Sequence, residues 1–109
     1  MESTTALDAL SALSQATRLG AFRLLVRHEP EGLAAGAVAQ HLGVPANTLS
    51  VHLGVLTRAG LVSFDKRGRE VIYRADIDQV RALALFLMKD CCGGDAAACA
   101  PLIAELSTC

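Results

Sequence analysis

Large apolar residues recur three or four positions apart near the N-terminus in two sets: Leu7, Leu10 and Leu13, then Leu19, Phe22 and Val26. This spacing predicts two helices, because residues three or four positions apart share one helical face. Ser14 lies between the two sets. A serine hydroxyl can accept a hydrogen bond from the free N–H groups at a helix start, so we expect Ser14 to cap the second helix.

A second pair of short helices follows the turn-like stretch Glu29-Pro30-Glu31-Gly32. The apolar pattern resumes over Ala34–Leu42 and breaks at Gly43-Val44-Pro45, where the proline is tolerated at the start of the next helix. That next helix ends at Gly60, and its predicted buried stripe consists of Leu49, Leu53 and Leu56. Two short helices joined by a tight glycine turn form a helix-turn-helix, here over residues 34–60.

The next segment, residues 61–75, has the pattern of a β-hairpin. Leu61–Phe64 and Val71–Tyr73 are rich in strand-forming residues, and residues 65–70 between them are charged and contain a glycine, which predicts the connecting loop. Asp76 and Gln79 have the spacing of a capping box, so we expect a long helix from there to about Asp90.

The last part of the chain, residues 76–109, is thus expected to hold this long helix, a break at Gly93-Gly94 and a short helix that begins at Pro101. Together these elements predict a single domain, residues 1–109, that is mostly α with a β-hairpin wing, a winged helix-turn-helix. A chain of 109 residues buries only a modest fraction of its surface. We therefore expect it to be homodimeric.

Composition agrees with a helical core, since 52% of the residues are hydrophobic and only 4% are aromatic. No apolar run approaches the roughly 20 residues that cross a bilayer, and the acidic N-terminus lacks the apolar region of a signal peptide. We expect a cytoplasmic protein that makes no membrane contact. A net charge of −1 argues against binding nucleic acid through bulk positive charge. The basic residues cluster locally instead: Arg58, Lys66, Arg67, Arg69 and Arg74.

Short polar residues near the start of the fourth helix are suited to reading base edges in a DNA major groove: Asn47, Thr48, Ser50 and His52. We expect phosphate contacts from Arg58 and from the hairpin residues Lys66, Arg67 and Arg69, because such contacts supply most of the affinity for DNA. Two alternatives are solvated surface charges and, for His52, a surface or metal-ligating histidine. Neither a cysteine nor a second histidine lies near His52 in sequence.

The stretch Leu49–Leu56, followed by Ala59–Val62, then by Arg67-Gly68-Arg69 and Tyr73, resembles the ArsR family of metal- and metalloid-responsive repressors. The resemblance extends from about residue 14 to residue 77. It implies a homodimeric winged helix whose first and fifth helices form the dimer interface, with Ser50 and His52 on the reading helix. It also implies that the partner is palindromic operator double-stranded DNA.

The four cysteines lie in the last fifth of the chain, where disulfides would connect very little: Cys91, Cys92, Cys99 and Cys109. The glycine pair lets the chain turn back, so three thiolates can converge. Soft thiolates select thiophilic acceptors, and trivalent arsenic takes three sulfurs whereas zinc usually takes four ligands. We expect Cys91, Cys92 and Cys99 to bind As(III) or Sb(III) as inducer, without an organic cofactor. Cys109 is a bystander or a fourth ligand.

The resemblance points the same way, because this chain is similar to family members with a vicinal cysteine pair and a third cysteine after the fifth helix. It implies arsenite, antimonite or their methylated trivalent forms as inducers. Three alternatives stay open. The thiols are buried apolar fillers, they form a redox switch through a Cys92–Cys99 or intermolecular disulfide, or they belong to a small thiol enzyme or metal carrier. The last is disfavoured, because the chain has no Cys-x-x-Cys motif and no suitably placed histidine. We do not expect an enzyme.

Overall fold

The computed structural model describes residues 1–88 and 100–107, and this part of the chain contains six helices and three short strands. In chain order they are α1 Ser3–Leu13, α2 Ala16–Arg27, β1 Leu33–Ala34, α3 Ala35–Leu42, α4 Ala46–Arg58, β2 Val62–Arg67, β3 Glu70–Ala75, α5 Ile77–Met88 and α6 Ala100–Ser107. The predicted fold class, mostly helical with a β-hairpin wing, is confirmed. Among these helices, none has both the length and the apolar character needed to cross a membrane.

The core lies where α2, α3 and α4 meet. Leu49, Leu53 and Leu56, the predicted stripe of α4, are all 1% exposed or less. They belong to the same apolar cluster as Leu25 of α2 and Val38 of α3. Each fully buried aliphatic side chain stabilises the fold by roughly 1.5–3 kcal/mol relative to its exposed state. One face of α4 is therefore fixed against the core, and the opposite face is left to solvent.

The face of α1 that packs on the core is made of alanines. Ala6, Ala9 and Ala12 are buried, whereas Leu7 is 65% exposed and Leu10 is 40% exposed. The helix that the leucine spacing predicts is confirmed, but of its three leucines only Leu13 packs against the core, while Leu7 and Leu10 lie away from it. Small side chains let the α1 backbone approach its neighbours closely, and the two exposed leucines stay available to a partner.

The cap of α2 differs from the prediction. Gln15, not Ser14, is the N-cap residue, and its side-chain oxygen accepts a hydrogen bond from the backbone N–H of Arg18 at 2.9 Å. The Ser14 hydroxyl instead donates to the carbonyl of Ser11 at 2.7 Å, at the end of α1. The expectation for Ser14 was wrong because α2 begins at Ala16, one residue too late for a cap at position 14.

The sheet has three antiparallel strands in the order β1-β3-β2. The two-residue strand β1, which pairs Leu33 with Tyr73, was not predicted, because two residues are too short to show an alternating pattern. The predicted loop over residues 65–70 is also too long. Arg67 pairs with Glu70, so only Gly68 and Arg69 form the turn. Charged side chains can remain solvated on an exposed hairpin whose backbone stays paired. In sequence, these polar strand residues therefore could not be distinguished from a loop.

Helix α5 begins as its sequence predicts. The Asp76 carboxylate accepts a hydrogen bond from the backbone N–H of Gln79 at 3.1 Å, so the Asp76 half of the predicted capping box is confirmed. The reciprocal bond is not formed, because the backbone N–H of Asp76 donates to the carbonyl of Leu61 at 2.8 Å. Leu83 is the buried residue of α5, and the four residues after Ala84 are exposed and apolar: Leu85, Phe86, Leu87 and Met88. The predicted extension of α5 to Asp90 lies outside the described residues. Helix α6 starts at Ala100, next to the predicted Pro101.

Gly32 and Gly43 both have a left-handed backbone conformation, and substituting each of them gives a matched test of the pairing between β1 and β3. Gly32 has φ +75° and a Cβ there would clash with the Tyr73 carbonyl oxygen, whereas Gly43 has φ +66° and open space around it. Gly43→Ala should cost about 1 kcal/mol of unfolding free energy from backbone strain alone. Gly32→Ala should cost more, on the order of 3 kcal/mol, because β1 must also separate from β3. Urea unfolding at one fixed protein concentration measures both, and equal losses would contradict the β1–β3 pairing.

Candidate nucleic-acid interface

The exposed face of α4 carries the residues predicted to read DNA. Asn47, Thr48 and Ser50 lie in its first turns and are exposed, and the neighbouring Val51 is 66% exposed. The Asn47 side chain accepts a hydrogen bond from the backbone N–H of Thr48 at 3.0 Å. No acidic residue occurs in the helix. This face is small, polar and free of negative charge, as entry into a major groove requires.

His52 lies at the edge of this face and is half-buried. Its Nδ1 is 3.3 Å from Nη1 of Arg18 on α2. The Arg18 Nε in turn donates to the carbonyl of Ala12 at 2.6 Å. The structure thus adds Arg18 to the site, a residue that sequence reasoning missed. The two residues are 34 positions apart on different helices, and neither residue's local pattern signals the contact.

Arg58 is exposed in the last turn of α4, away from the other reading residues. It borders a shallow groove of about 250 Å³ that is also lined by Asp8 and Ser11 of α1. At 1.5 Å per residue, its backbone is roughly 16 Å from that of Asn47 along the helix axis. Arg58 is therefore placed for a phosphate contact at the margin of a DNA interface, and that role stays a prediction.

The hairpin β2–β3 carries Lys66, Arg67 and Arg69 in exposed positions at and next to its turn. Arg67 Nη2 lies 3.7 Å from Asp65 Oδ2, but both side chains are more than 60% exposed, so this ion pair contributes little. The hairpin tip keeps a positive charge that can reach phosphates. We call this tip, Lys66 to Arg69, the wing tip.

Arg74 is not part of the wing tip, although it belongs to the same basic cluster in sequence. Its Nε and Nη2 donate to the two carboxylate oxygens of Glu29, at 3.3 and 3.0 Å. The hydrogen bond to Glu29, together with the negative charge of that carboxylate, raises the pKa of Arg74 above its usual value. This bidentate pair connects the turn before β1 to β3, so Arg74 serves the fold.

The predicted thiol site lies outside the described residues, because positions 91, 92, 99 and 109 all fall in the undescribed segments. Within residues 1–88 and 100–107, the histidine and acidic side chains form no group of three or more that could hold a metal ion.

Comparison with known proteins identifies the fold. A family model described as a helix-turn-helix domain matches residues 13–63. No curated protein matches the sequence. Among solved structures, NolR from Sinorhizobium fredii is 30% identical over 79% of this chain and 83% of its own, with a TM-score of 0.64.

Two further structures are similar and carry a family label. An ArsR-like transcriptional regulator from Rhodococcus sp. RHA1 is 26% identical over 96% of this chain and 92% of its own, with a TM-score of 0.68. The homodimeric winged helix-turn-helix DNA-binding domain Mb0332 from Mycobacterium bovis, a possible ArsR-family regulator, is 28% identical over 78% of this chain and 77% of its own, with a TM-score of 0.66.

This chain is a DNA-binding transcriptional regulator of the ArsR/winged helix-turn-helix type. The family resemblance read from the motifs of α4 and the wing is confirmed at this level. A fold of this kind is usually non-enzymatic.

The wing tip gives a prediction about salt dependence. Arg69→Ala should lower the slope of log K against log salt concentration by about one per wing, because each phosphate contact releases counterions. Binding to a duplex enriched from a randomised pool by the wild-type protein is measured by fluorescence anisotropy at several salt concentrations. Arg74→Gln is the matched control and should leave the slope nearly unchanged, since Glu29 already pairs that charge. Equal changes in both variants would contradict the assignment of the wing tip.

Proposed function

We propose that this protein is a homodimeric repressor that occupies palindromic operator DNA and leaves it when a trivalent arsenical is captured by Cys91, Cys92 and Cys99. The observation that carries the proposal is the run of exposed apolar residues that closes the described part of α5, Leu85 to Met88, three positions before Cys91 in the sequence. The surface suited to a second subunit and the thiols suited to the inducer are thereby adjacent along the chain. Regulation and dimerisation are expected to be coupled at this point.

The DNA-binding step uses the exposed face of α4 and the wing tip. Asn47, Thr48 and Ser50 supply short polar groups for base edges, and the wing-tip cations supply phosphate contacts. Because two copies related by a two-fold axis present two copies of α4, the dimer reads two half-sites of opposite orientation. An operator occupied in this way blocks transcription, which is the sense in which the protein is a repressor.

The dimerisation step uses apolar side chains that the monomer leaves exposed. Leu7 of α1 and Leu85 of α5 are each 65% exposed, Leu87 is 54% exposed, and α1 contacts α5 within the chain. Large apolar side chains left exposed on two helices in contact with each other are typical of a protein interaction site. The similar Mycobacterium bovis domain is a homodimer, and the same arrangement in this chain would bury these leucines.

The inducer step relies on the chemistry of the thiols. Cys91 follows the last described residue of α5, Met88, by three positions, and Cys99 directly precedes α6. Three soft thiolates without a histidine between them favour a three-coordinate thiophilic acceptor such as trivalent arsenic or antimony. Linkage requires the arsenical to bind the DNA-free conformation more tightly than the DNA-bound one. A change at the end of α5 can bias that equilibrium because α5 belongs to the proposed interface.

Charge introduced into the exposed apolar surface tests the dimer. The double variant Leu7→Glu/Leu85→Glu should sediment as a monomer at micromolar concentration, since burying two carboxylates per subunit without partners is costly. Val51→Glu is a matched control, because Val51 is equally exposed but lies on the reading face of α4. It should remain dimeric and lose DNA binding. A double variant that sediments as the wild type does would contradict an interface made by α1 and α5.

The response to arsenite tests the inducer. Arsenite should weaken binding of the wild-type protein to its enriched duplex by roughly tenfold or more, a typical allosteric coupling. The double variant Cys91→Ser/Cys92→Ser should bind the duplex with the affinity of the wild type, and arsenite should not change that affinity. Cys109→Ser should respond to arsenite as the wild type does. The readout is fluorescence anisotropy under reducing conditions.

Two outcomes would overturn the arsenical part of the proposal. One is an unchanged affinity in saturating arsenite, and the other is an equal loss in the double serine variant. Release by peroxide with no effect of arsenite would assign the same cysteines to a redox switch instead. X-ray absorption of the arsenite-loaded protein should show three sulfurs around each arsenic atom.

A further inference from the structure

Arg18 connects three helices through separate hydrogen bonds. Its backbone N–H donates to the Gln15 side chain at the start of α2, and its Nε donates to the Ala12 carbonyl near the end of α1, at 2.6 Å. Its Nη1 lies 3.3 Å from Nδ1 of His52 on α4. Two of the five N–H donors of the guanidinium are therefore committed inside the protein, in a fixed plane.

The contact between Arg18 and His52 determines where the imidazole proton lies. A guanidinium has donors but no acceptor and stays protonated in proteins, so in this hydrogen bond Nδ1 of His52 is the acceptor. A ring nitrogen that accepts carries no proton. The single proton of the neutral ring is then on Nε2, and His52 presents a donor on the side of the ring that points away from α2.

We propose that Arg18 is a positioning residue for base reading, which holds His52 as an Nε2–H donor at the edge of the reading face of α4. The inference rests on the proposed function, since it requires α4 to enter the major groove. An Nε2–H donor selects acceptors on base edges: O6 or N7 of guanine, N7 of adenine and O4 of thymine. It disfavours the exocyclic amino groups of adenine and cytosine, which are themselves donors.

A positional role predicts that the effect of Arg18 passes through His52. His52→Gln keeps a polar amide near the position of Nε2 but lacks the ring nitrogen Nδ1 to which Arg18 donates, so in that background Arg18 no longer orients the side chain through this contact. Arg18→Met should weaken binding to the enriched duplex by about tenfold when His52 is present, the loss of one charge-assisted hydrogen bond. In the His52→Gln background the same substitution should change the affinity less than twofold.

A merely structural role for Arg18 would give a different pattern. If the bond to Ala12 mattered alone, Arg18→Met would weaken binding equally in both backgrounds, and that result overturns the proposal. Arg23→Met removes the same charge from an exposed position of α2 and should change the affinity less than twofold. Midpoints of thermal unfolding, compared across the variants, confirm that each of them is folded.

Two further readouts address the base and the proton directly. Selection from a randomised duplex pool should show that Arg18→Met relaxes the preference at one base pair of each half-site and leaves the others intact. An unchanged preference overturns the proposal. In ¹⁵N-labelled wild-type protein, His52 should show a protonated Nε2 and an unprotonated Nδ1, and the opposite tautomer overturns the proposal as well. If the wild-type protein enriches no duplex, the proposed function itself fails, whereas enrichment with equal losses in both backgrounds overturns only the role of Arg18.

Discussion

The burial of the leucine stripe of α4 is the constraint on which the rest of the molecule depends. Leu49, Leu53 and Leu56 are inaccessible to solvent, and they pack in one cluster with α2 and α3. Rotating α4 about its axis would expose them at a cost of several kcal/mol, so the helix has one orientation. That orientation decides which side chains are presented to DNA. The polar residues of its first turns face solvent because the leucines cannot.

Two further features supplement the orientation of α4, the wing on one side of the helix and the contact between Arg18 and His52 on the other. The hairpin follows α4 directly, and its two-residue turn places the wing-tip cations beyond the folded core. On the other side, Arg18 connects α4 to the junction of α1 and α2 through His52 and Ala12. Since α1 also carries exposed leucines, the proposed dimer surface and the reading helix share a short physical connection.

Much of this arrangement could be predicted from the sequence, because strong periodic patterns carry it. The stripe of α4, the glycine breaks on both sides of it and the cap at Asp76 were all confirmed. The features that were missed depend on tertiary context. In α1 the alanines repeat every three residues, as the leucines do, so the spacing fits either set. Only tertiary packing decides that Ala6, Ala9 and Ala12 are buried while Leu7 is exposed.

Local composition was misleading at two other places, and one contact had no local signal. The cap at Gln15 in place of Ser14 follows from where α2 begins, and the long wing follows from backbone pairing that charged side chains do not reveal. The contact from Arg18 to His52 joins residues that are distant in sequence, so no pattern within one helix indicates it. The cysteines are a different case. Their grouping is evident in sequence, and the chemistry of three thiolates, not the described structure, supports their role.

If α4 enters the DNA groove with the wing tip beside it, the residues of these two segments must respond to added DNA. A titration of ¹⁵N-labelled protein with its enriched duplex, followed by amide and side-chain chemical shifts, tests this most directly. We expect the largest changes on Asn47 to His52 and on Lys66 to Arg69, with little change at the buried leucines of α4. Changes centred on α6 or on the turn before β1, with α4 unaffected, would contradict this placement of α4.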